Sequence, residues 1–323
     1  MKAYLGIDLG SVSTNFFVMG QDEEVLVNIY LRTQGNPIKA VRTGLARTQD
    51  ELPPGVTIAG VGTTGSGRQL AGIIVGADTI KNEITAHGVA ATSLVPTVRT
   101  VLEIGGQDSK IIILRDGIVT DFAMNTVCAA GTGSFLDRQA ERLGLPIDQF
   151  GQLAVRSSNP VRIAGRCAVF AESDMIHKQQ LGHPMEDITR GLCQALVRNY
   201  LNNVAKGKAI EPPILFQGGV AANAGMKVAF EEALGIEVLV PKYFAVMGAL
   251  GAAQLAQRQV SNGAETRFRG FEVSNWDFHV SSRHCHGCSN CCEIVEIEAG
   301  EKSLACWGDR CGRWSEQNPA QIA

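Results

Sequence analysis

Few aromatic residues, little net charge and no long apolar run mark this 323-residue chain, and each scarcity removes a class of function. Aromatics make up 6% of it, too few for the stacking platforms that hold single-stranded nucleic acid. The formal net charge is −3 and no basic run occurs, so nothing points to nucleic acid as a partner. The apolar stretches are far short of a membrane span. No P-loop is present, because Gly207-Lys208 is followed by Ala209 and not by Ser or Thr. The opening Met1-Lys2-Ala3-Tyr4-Leu5-Gly6-Ile7-Asp8 reads as a first strand and not a signal peptide, which sets the expectation of a cytoplasmic protein. There the nine cysteines are expected to be metal ligands or redox groups and not disulfides.

What is present is an alternation of short apolar strands and helical patterns from residue 1 to about 258, an α/β reading. Residues 259–270 are polar and read as a linker with a flexible Ser261-Asn262-Gly263 junction. Residues 271–323 hold six of the nine cysteines and all three Trp, and read as a small metal-stapled module. Within the larger part, residues 7–19 and 102–114 align without gaps. Each is a strand, an acidic residue, a Gly turn and a second strand, followed in the second copy by an Asp116-Gly117 hairpin turn. The duplication predicts two related lobes, roughly 1–97 and 98–258, that present loops to a shared cleft.

A strand ending in an acid and a Gly turn gathers N–H groups and hydroxyls around one spot, which suits phosphate. In the first copy the candidates are Gly10, Ser11, Ser13 and Thr14, with Asp8 placed to hold Mg²⁺ beside the phosphates. The second copy offers Glu103, Gly105, Gly106 and Gln107, the last able to position an attacking water. A third loop, with Gly218, Gly219 and Asn223, leaves room for a flat ring or ribose. Any one of these loops alone is as well explained by a plain turn. A rival is Gly60-Val61-Gly62-Thr63-Thr64-Gly65, which fits the dinucleotide fingerprint after a strand but leaves the duplicated loops unexplained.

Cys128 precedes Gly131-Thr132-Gly133, a further candidate cofactor-binding turn, and a helix over roughly Ser134–Leu143, and Cys167 follows Arg166. A helix N-terminus or a cation favours a thiolate. The bland alternative, a buried structural thiol, fits Cys193 best. Two thiols cannot fill a cubane cluster, but two copies of the chain about a two-fold axis can.

With these residues together, the chain resembles the ATP-dependent activators of 2-hydroxyacyl-CoA dehydratases and the ATPase subunits of benzoyl-CoA reductase. The motifs are Gly6-Ile7-Asp8-Leu9-Gly10-Ser11, Glu103-Ile104-Gly105-Gly106-Gln107-Asp108, Asn125 with Cys128 through Gly133, Cys167 through Ser173, and Gln217-Gly218-Gly219-Val220. The resemblance implies an actin, sugar-kinase and acetate-kinase type of two-lobed ATPase fold, with ATP or ADP and Mg²⁺ in the cleft. It also implies one [4Fe–4S] cluster per homodimer on Cys128 and Cys167, a ferredoxin or flavodoxin as electron donor, and an iron–sulfur dehydratase as acceptor. The family's first loop usually ends in Lys, where this chain has Asn15. The Cys-rich tail also departs from the short activators and points to an acceptor such as a double-cubane reductase, in an anaerobic setting. A sugar or acyl kinase of the same fold, or a nucleotide-dependent regulatory protein, is the alternative; either leaves Cys128 and Cys167 idle.

In the tail, Cys285, Cys288, Cys292 and Cys311 are the expected ligands of a zinc ion or a second iron–sulfur cluster, with Cys291 or Cys306 as substitutes. His284 and His286 flank Cys285 and are weighed as further ligands.

Overall fold

The computed structural model describes residues 1–125, 127–261, 263–300 and 302–315. Thr126, in the Cys128 motif, Asn262, in the expected linker, and residues 316–323 of the tail lie outside the described residues. The chain divides into two compact units, Met1–Glu83 with Gly248–Ala323, and Ile84–Met247.

The first unit opens with β1 (Lys2–Leu9), β2 (Ser13–Gly20) and β3 (Val25–Arg32), then α1 (Pro37–Glu51), β4 (Thr57–Thr64), α2 (Arg68–Val75) and β5 (Thr79–Ile80). Near-continuous apolar runs make β1 and β2 buried strands. Asn36 caps α1 by accepting from the N–H of Lys39, and Pro37 occupies the first turn, where its missing N–H costs nothing. The second unit follows with α3 (Glu83–Leu94), β6 (Thr100–Ile104), β7 (Ser109–Arg115), β8 (Ile118–Asn125), α4 (Gly133–Leu143), α5 (Ile147–Arg156) and α6 (Ala168–Gln180). It ends with α7 (Met185–Asn203), β9 (Ile214–Gln217), α8 (Ala224–Leu234) and β10 (Val238–Leu239). Helix α9 (Met247–Val260) returns to the first unit, and β11 (Phe278–His284), β12 (Glu293–Ala299) and β13 (Lys302–Trp307) form the tail sheet.

The sheet of the first unit runs β3-β2-β1-β4-β5 and that of the second, read from its other edge, β8-β7-β6-β9-β10. In both, the first strand pairs antiparallel with the second and parallel with the fourth. The sequence repeat is therefore a repeat of topology. It extends to register: Asp8 faces Asn15 across β1 and β2, and Glu103 faces Lys110 across β6 and β7. The turns match as well, since Gly10 N–H donates to Ser13 O at 2.9 Å and Gly105 N–H to Asp108 O at 3.0 Å.

Each unit has its own apolar core. Leu102, Ile111, Phe216 and Phe230 lie in that of the second. Leu5, Ile7, Phe16 and Val41 lie in that of the first, which also takes in Val273, Ile297 and Leu304 of the tail. The polar run before the tail is tied to the first unit: Arg269 N–H donates to Val75 O at 3.0 Å, and Thr266 Oγ1 to Asp78 Oδ2 at 2.7 Å.

Most of the dinucleotide-like segment is strand and not a phosphate turn. Gly60 through Thr64 lie inside β4, and α2 begins only at Arg68. A Cβ on Gly62 would strike the Ala252 carbonyl, and one on Gly6 the Ala249 carbonyl. These glycines let α9 lie against the sheet, a packing reason indistinguishable in sequence from a nucleotide fingerprint.

Candidate functional site

In the first unit, the turn between β1 and β2 is fixed from within. Thr33 Oγ1 donates to Gly10 O at 2.9 Å, which commits its proton. The Thr14 hydroxyl, 2.9 Å from Thr33 Oγ1, then donates to Thr33. Thr14 is fully buried, so its hydroxyl braces the turn. Gly10 and Ser11 help to line a cavity of about 320 Å³ with Leu9, Thr33, Ser66 and Gly67. The Asp8 carboxylate has Gly65 and Gly248 against it, and a Cβ on Gly65 would come within 2.5 Å of Oδ1. Asn15, the counterpart of Lys110, has a buried Oδ1 without a hydrogen-bond partner.

In the second unit three predicted segments converge. Glu103, 4% exposed, receives a hydrogen bond from Lys110 Nζ at 3.0 Å, and the same ammonium reaches Asp108 Oδ1 at 2.9 Å. Lys110 is itself buried, and its carbonyl accepts from the Tyr200 hydroxyl at 2.7 Å. Burial and the Glu103 charge push the Tyr200 hydroxyl well above its usual range. Gln107 is exposed at the tip of the turn. The third loop lies on the end of β6: Gly218, at φ 89°, has no room for a side chain, since a Cβ would strike the Ile104 carbonyl. Gly219 begins a short 3₁₀ turn. Asn223 caps α8, its Oδ1 accepting from Met226 N–H at 3.2 Å, while its buried Nδ2 has no partner. Beneath the loop, Gln217 Nε2 donates to His87 Nδ1 at 2.7 Å. Burial, and secondarily the Lys110 charge, lower the His87 pKa to about 3.

The Cys128 loop is tied off by Asn125, whose Oδ1 accepts from Cys128 N–H at 2.9 Å and whose Nδ2 donates to Cys128 O at 2.7 Å. A 3₁₀ turn over Ala129–Gly131 leads to Thr132, whose hydroxyl donates to Ala129 O at 2.9 Å, and then into α4. The first two N–H groups of α4 do not go to solvent. Gly133 donates to Gly105 O and Ser134 to Gly106 O, each at 2.8 Å. The expected phosphate turn and the expected thiol loop are thus joined directly.

Cys167 caps α6. Cys128 Sγ lies 4.0 Å from the carbonyl of its neighbour Arg166, and Asn199 Nδ2 touches both, 3.9 Å from the sulfur and 3.2 Å from the oxygen. Arg142 on α4 pairs with Glu172 on α6 at 2.7 Å. Both thiols are partly exposed, next to Val127 at 95%, Val169 at 69% and Phe170 at 66% exposure. Cys193 is buried, and burial pushes its thiol up to about 12.

In the tail, Cys285 Sγ accepts from Trp314 Nε1 at 3.3 Å and Gly287 N–H at 3.5 Å, and these donors lower its pKa. Cys288, Cys291 and Cys311 are exposed, and Cys292 and Cys306 partly so. Among the described residues no group of three or more His, Cys, Asp or Glu side chains stands around one metal position. No helix among them is long and apolar enough to cross a membrane.

Known proteins match this arrangement. The (R)-2-hydroxyglutaryl-CoA dehydratase activating ATPase of Acidaminococcus fermentans is 34% identical over 263 residues, 80% of this chain and 98% of its own length. A benzoyl-CoA reductase subunit from Thauera aromatica is 28% identical over 198 residues, 56% of this chain and 70% of its own. The solved activator of 2-hydroxyisocaproyl-CoA dehydratase from Clostridium difficile, with bound ADPNP, superposes with a TM-score of 0.73 at 29% identity, covering 81% of this chain and 96% of that one. The architecture is the actin and sugar-kinase type of ATPase fold that the resemblance implies. The model of the BadF/BadG/BcrA/BcrD ATPase family matches residues 5–256, which span every loop described above except those of the tail, and the chain belongs to that family.

Proposed function

We propose that the protein is an ATP-dependent activator that passes low-potential electrons to an iron–sulfur partner of the 2-hydroxyacyl-CoA dehydratase or double-cubane type. The observation that carries this reading is the pair of hydrogen bonds from Gly133 and Ser134 to Gly105 and Gly106. A turn built for phosphate is fastened to the first residues of the helix that follows Cys128. A shift of the turn on ATP binding or hydrolysis is passed to α4, and through the Arg142–Glu172 pair to α6.

Cys128 and Cys167 fit a shared [4Fe–4S] cluster on several counts. Cys128 Sγ lies 4.0 Å from the carbonyl of Arg166, the residue before Cys167, both thiols are partly exposed, and Cys167 stands at the N-terminal end of α6, which favours negative charge. Two thiols per chain leave half the ligand set to a second copy. The exposed Val127, Val169 and Phe170 beside them give that copy an apolar surface to cover. The bound cluster supplies one-electron transfer; ferredoxin or flavodoxin is the expected donor. Asp8 is assigned to Mg²⁺, Gly10, Ser11, Ser13, Gly105 and Gly106 to phosphate, Gln107 to the attacking water, and Gly218 and Gly219 to the nucleoside. Thr14, Glu103, Thr132 and Asn223 position these loops through the contacts described. The cytoplasm is the expected compartment.

The test is anaerobic purification followed by iron, sulfide and ATPase assays and a search for the co-purifying protein. A brown homodimer whose ATP hydrolysis rises with electron delivery to an iron–sulfur partner is expected. A colourless protein that phosphorylates a sugar or carboxylate overturns the reading.

A further inference from the structure

The tail sheet carries an independent feature. Its tip is mostly exposed from Ser282 to Cys291, with no apolar core of its own. A tip this short is held by something other than burial. β11 and β12 are antiparallel, with His284 opposite Glu293. One step further out Cys285 N–H donates to Cys292 O at 2.8 Å, so these two cysteines face one another. Residues directly opposite in such a pair have Cβ atoms about 4.5–5.5 Å apart. That is wider than the usual disulfide separation of about 3.8 Å, and within reach of one ion with metal–sulfur bonds of about 2.3 Å.

The loop between them carries Cys288. It curls back so that Gly287 N–H points at Cys285 Sγ, the turn of a Cys-x-x-Cys chelate. A fourth cysteine arrives from β13. Beyond the Val295–Trp307 pair, Gly308 lies against Glu293, where a Cβ would strike the Glu293 carbonyl. The chain therefore runs on toward Cys292. It returns to Cys285 through Trp314, with Cys311 on the way. The remaining tail cysteines are placed otherwise. Cys306 lies within β13 opposite Glu296, and Cys291, at φ 43°, turns its thiol toward Cys288 O at 3.8 Å.

We propose that Cys285, Cys288, Cys292 and Cys311 form a four-thiolate zinc site that pins the tip of the C-terminal sheet. The strand pairing sets Cys285 and Cys292 at one end of the sheet with the Cys288 loop between them. The Trp314 contact to Cys285 brings the segment of Cys311 there, its Sγ now 4.0 Å from Asp309 Oδ2, and the ion would draw the sulfurs onto one centre. A tetrathiolate zinc carries excess negative charge, and two cations stand near, of which Arg283 is also paired with Glu296 at 2.6 Å. The Arg283 guanidinium lies 4.8 Å and that of Arg313 5.8 Å from the Trp314 ring centroid, beside Cys285. The close cross-strand pair favours a single ion over a cubane. The site uses neither Cys128 nor Cys167, so it stands or falls apart from the activator reading.

Zinc and iron are measured on full-length protein purified without oxygen. About one zinc per chain is expected. Cys288→Ser and Cys292→Ser should each lose it with iron unchanged, while Cys306→Ser keeps both. Should a variant fail to fold, cobalt exchange into the wild-type protein gives a second measurement; thiolate-to-cobalt charge transfer with tetrahedral visible bands is expected. Zinc-free wild type, zinc retained in Cys288→Ser, a fall of iron in that variant, a Cys285–Cys292 disulfide on peptide mapping, or cobalt without those bands each overturns the site.

Discussion

Ser134 closes on Gly106 twice: its N–H donates to the Gly106 carbonyl at 2.8 Å and its hydroxyl to the same oxygen at 2.5 Å. An α-helix leaves its first N–H groups without partners, and here a loop of the expected nucleotide site takes them. A loop that supplies helix caps cannot move without the helix. Ser134→Ala removes the hydroxyl and keeps the N–H, a loss of about 1 kcal/mol. The expected result is near-normal ATP hydrolysis and roughly fivefold more ATP consumed per electron delivered, the ratio that about 1 kcal/mol allows. A wild-type ratio shows that the link carries no force.

Removing a cluster ligand separates the two sites differently. Cys128→Ala and Cys167→Ala should each purify colourless, yet bind ATP with unchanged affinity, because neither sulfur lies in a phosphate turn. Iron at the wild-type level in either variant sinks the bridging-cluster assignment.

Asp8→Asn keeps shape and loses charge. With the carboxylate assigned to Mg²⁺, ATP hydrolysis should fall by at least tenfold, about 1.4 kcal/mol, while iron content stays the same. Full ATPase activity reduces Asp8 to a strand-end residue.

The alignment of residues 7–19 with 102–114 foretells the two matching strand–turn–strand pairs, β1–β2 and β6–β7, because turn chemistry and apolar runs are local properties, whereas the equal order of the whole sheets also needs strands outside the repeat. The helix after Cys128 is legible for the same reason. Long-range contacts are not. Nothing local marks Asn199 as the neighbour of Cys128, or Gly62 as a seat for α9. Lys110 is within reach of the sequence: the repeat puts it at the position of Asn15, a cation in one copy against an amide in the other.

That cation is under strong constraint. Lys110 is 2% exposed and bonded to Glu103 and Asp108. Lys110→Met leaves a buried carboxylate uncompensated, at a cost of about 3–5 kcal/mol. Glu103→Gln in the same chain should recover a large part, since it removes the stranded charge. Urea unfolding of the single and double variants checks this; additive losses mean that Lys110 and Glu103 are not coupled.

His87 gives the chain a pH dependence of known sign. In the folded protein its pKa is about 3, against 6.5 for an unperturbed ring, because burial and the Lys110 charge oppose the cation. The neutral ring accepts from Gln217 at Nδ1. Between those two pKa values the unfolded chain holds a proton that the folded chain does not. Stability contributed by the neutral ring is therefore present above 6.5 and falls as pH falls toward 3. From pH 7 to pH 5 the loss from this one group is about 2 kcal/mol. His87→Gln cannot take up a proton. Its stability should fall by about 2 kcal/mol less than that of the wild type over the same interval, in paired urea titrations at the two pH values. Equal losses would mean that the ring already carries its proton in the folded state at pH 5. The bond to Gln217 would then run the other way, with the Gln217 oxygen accepting from the charged ring.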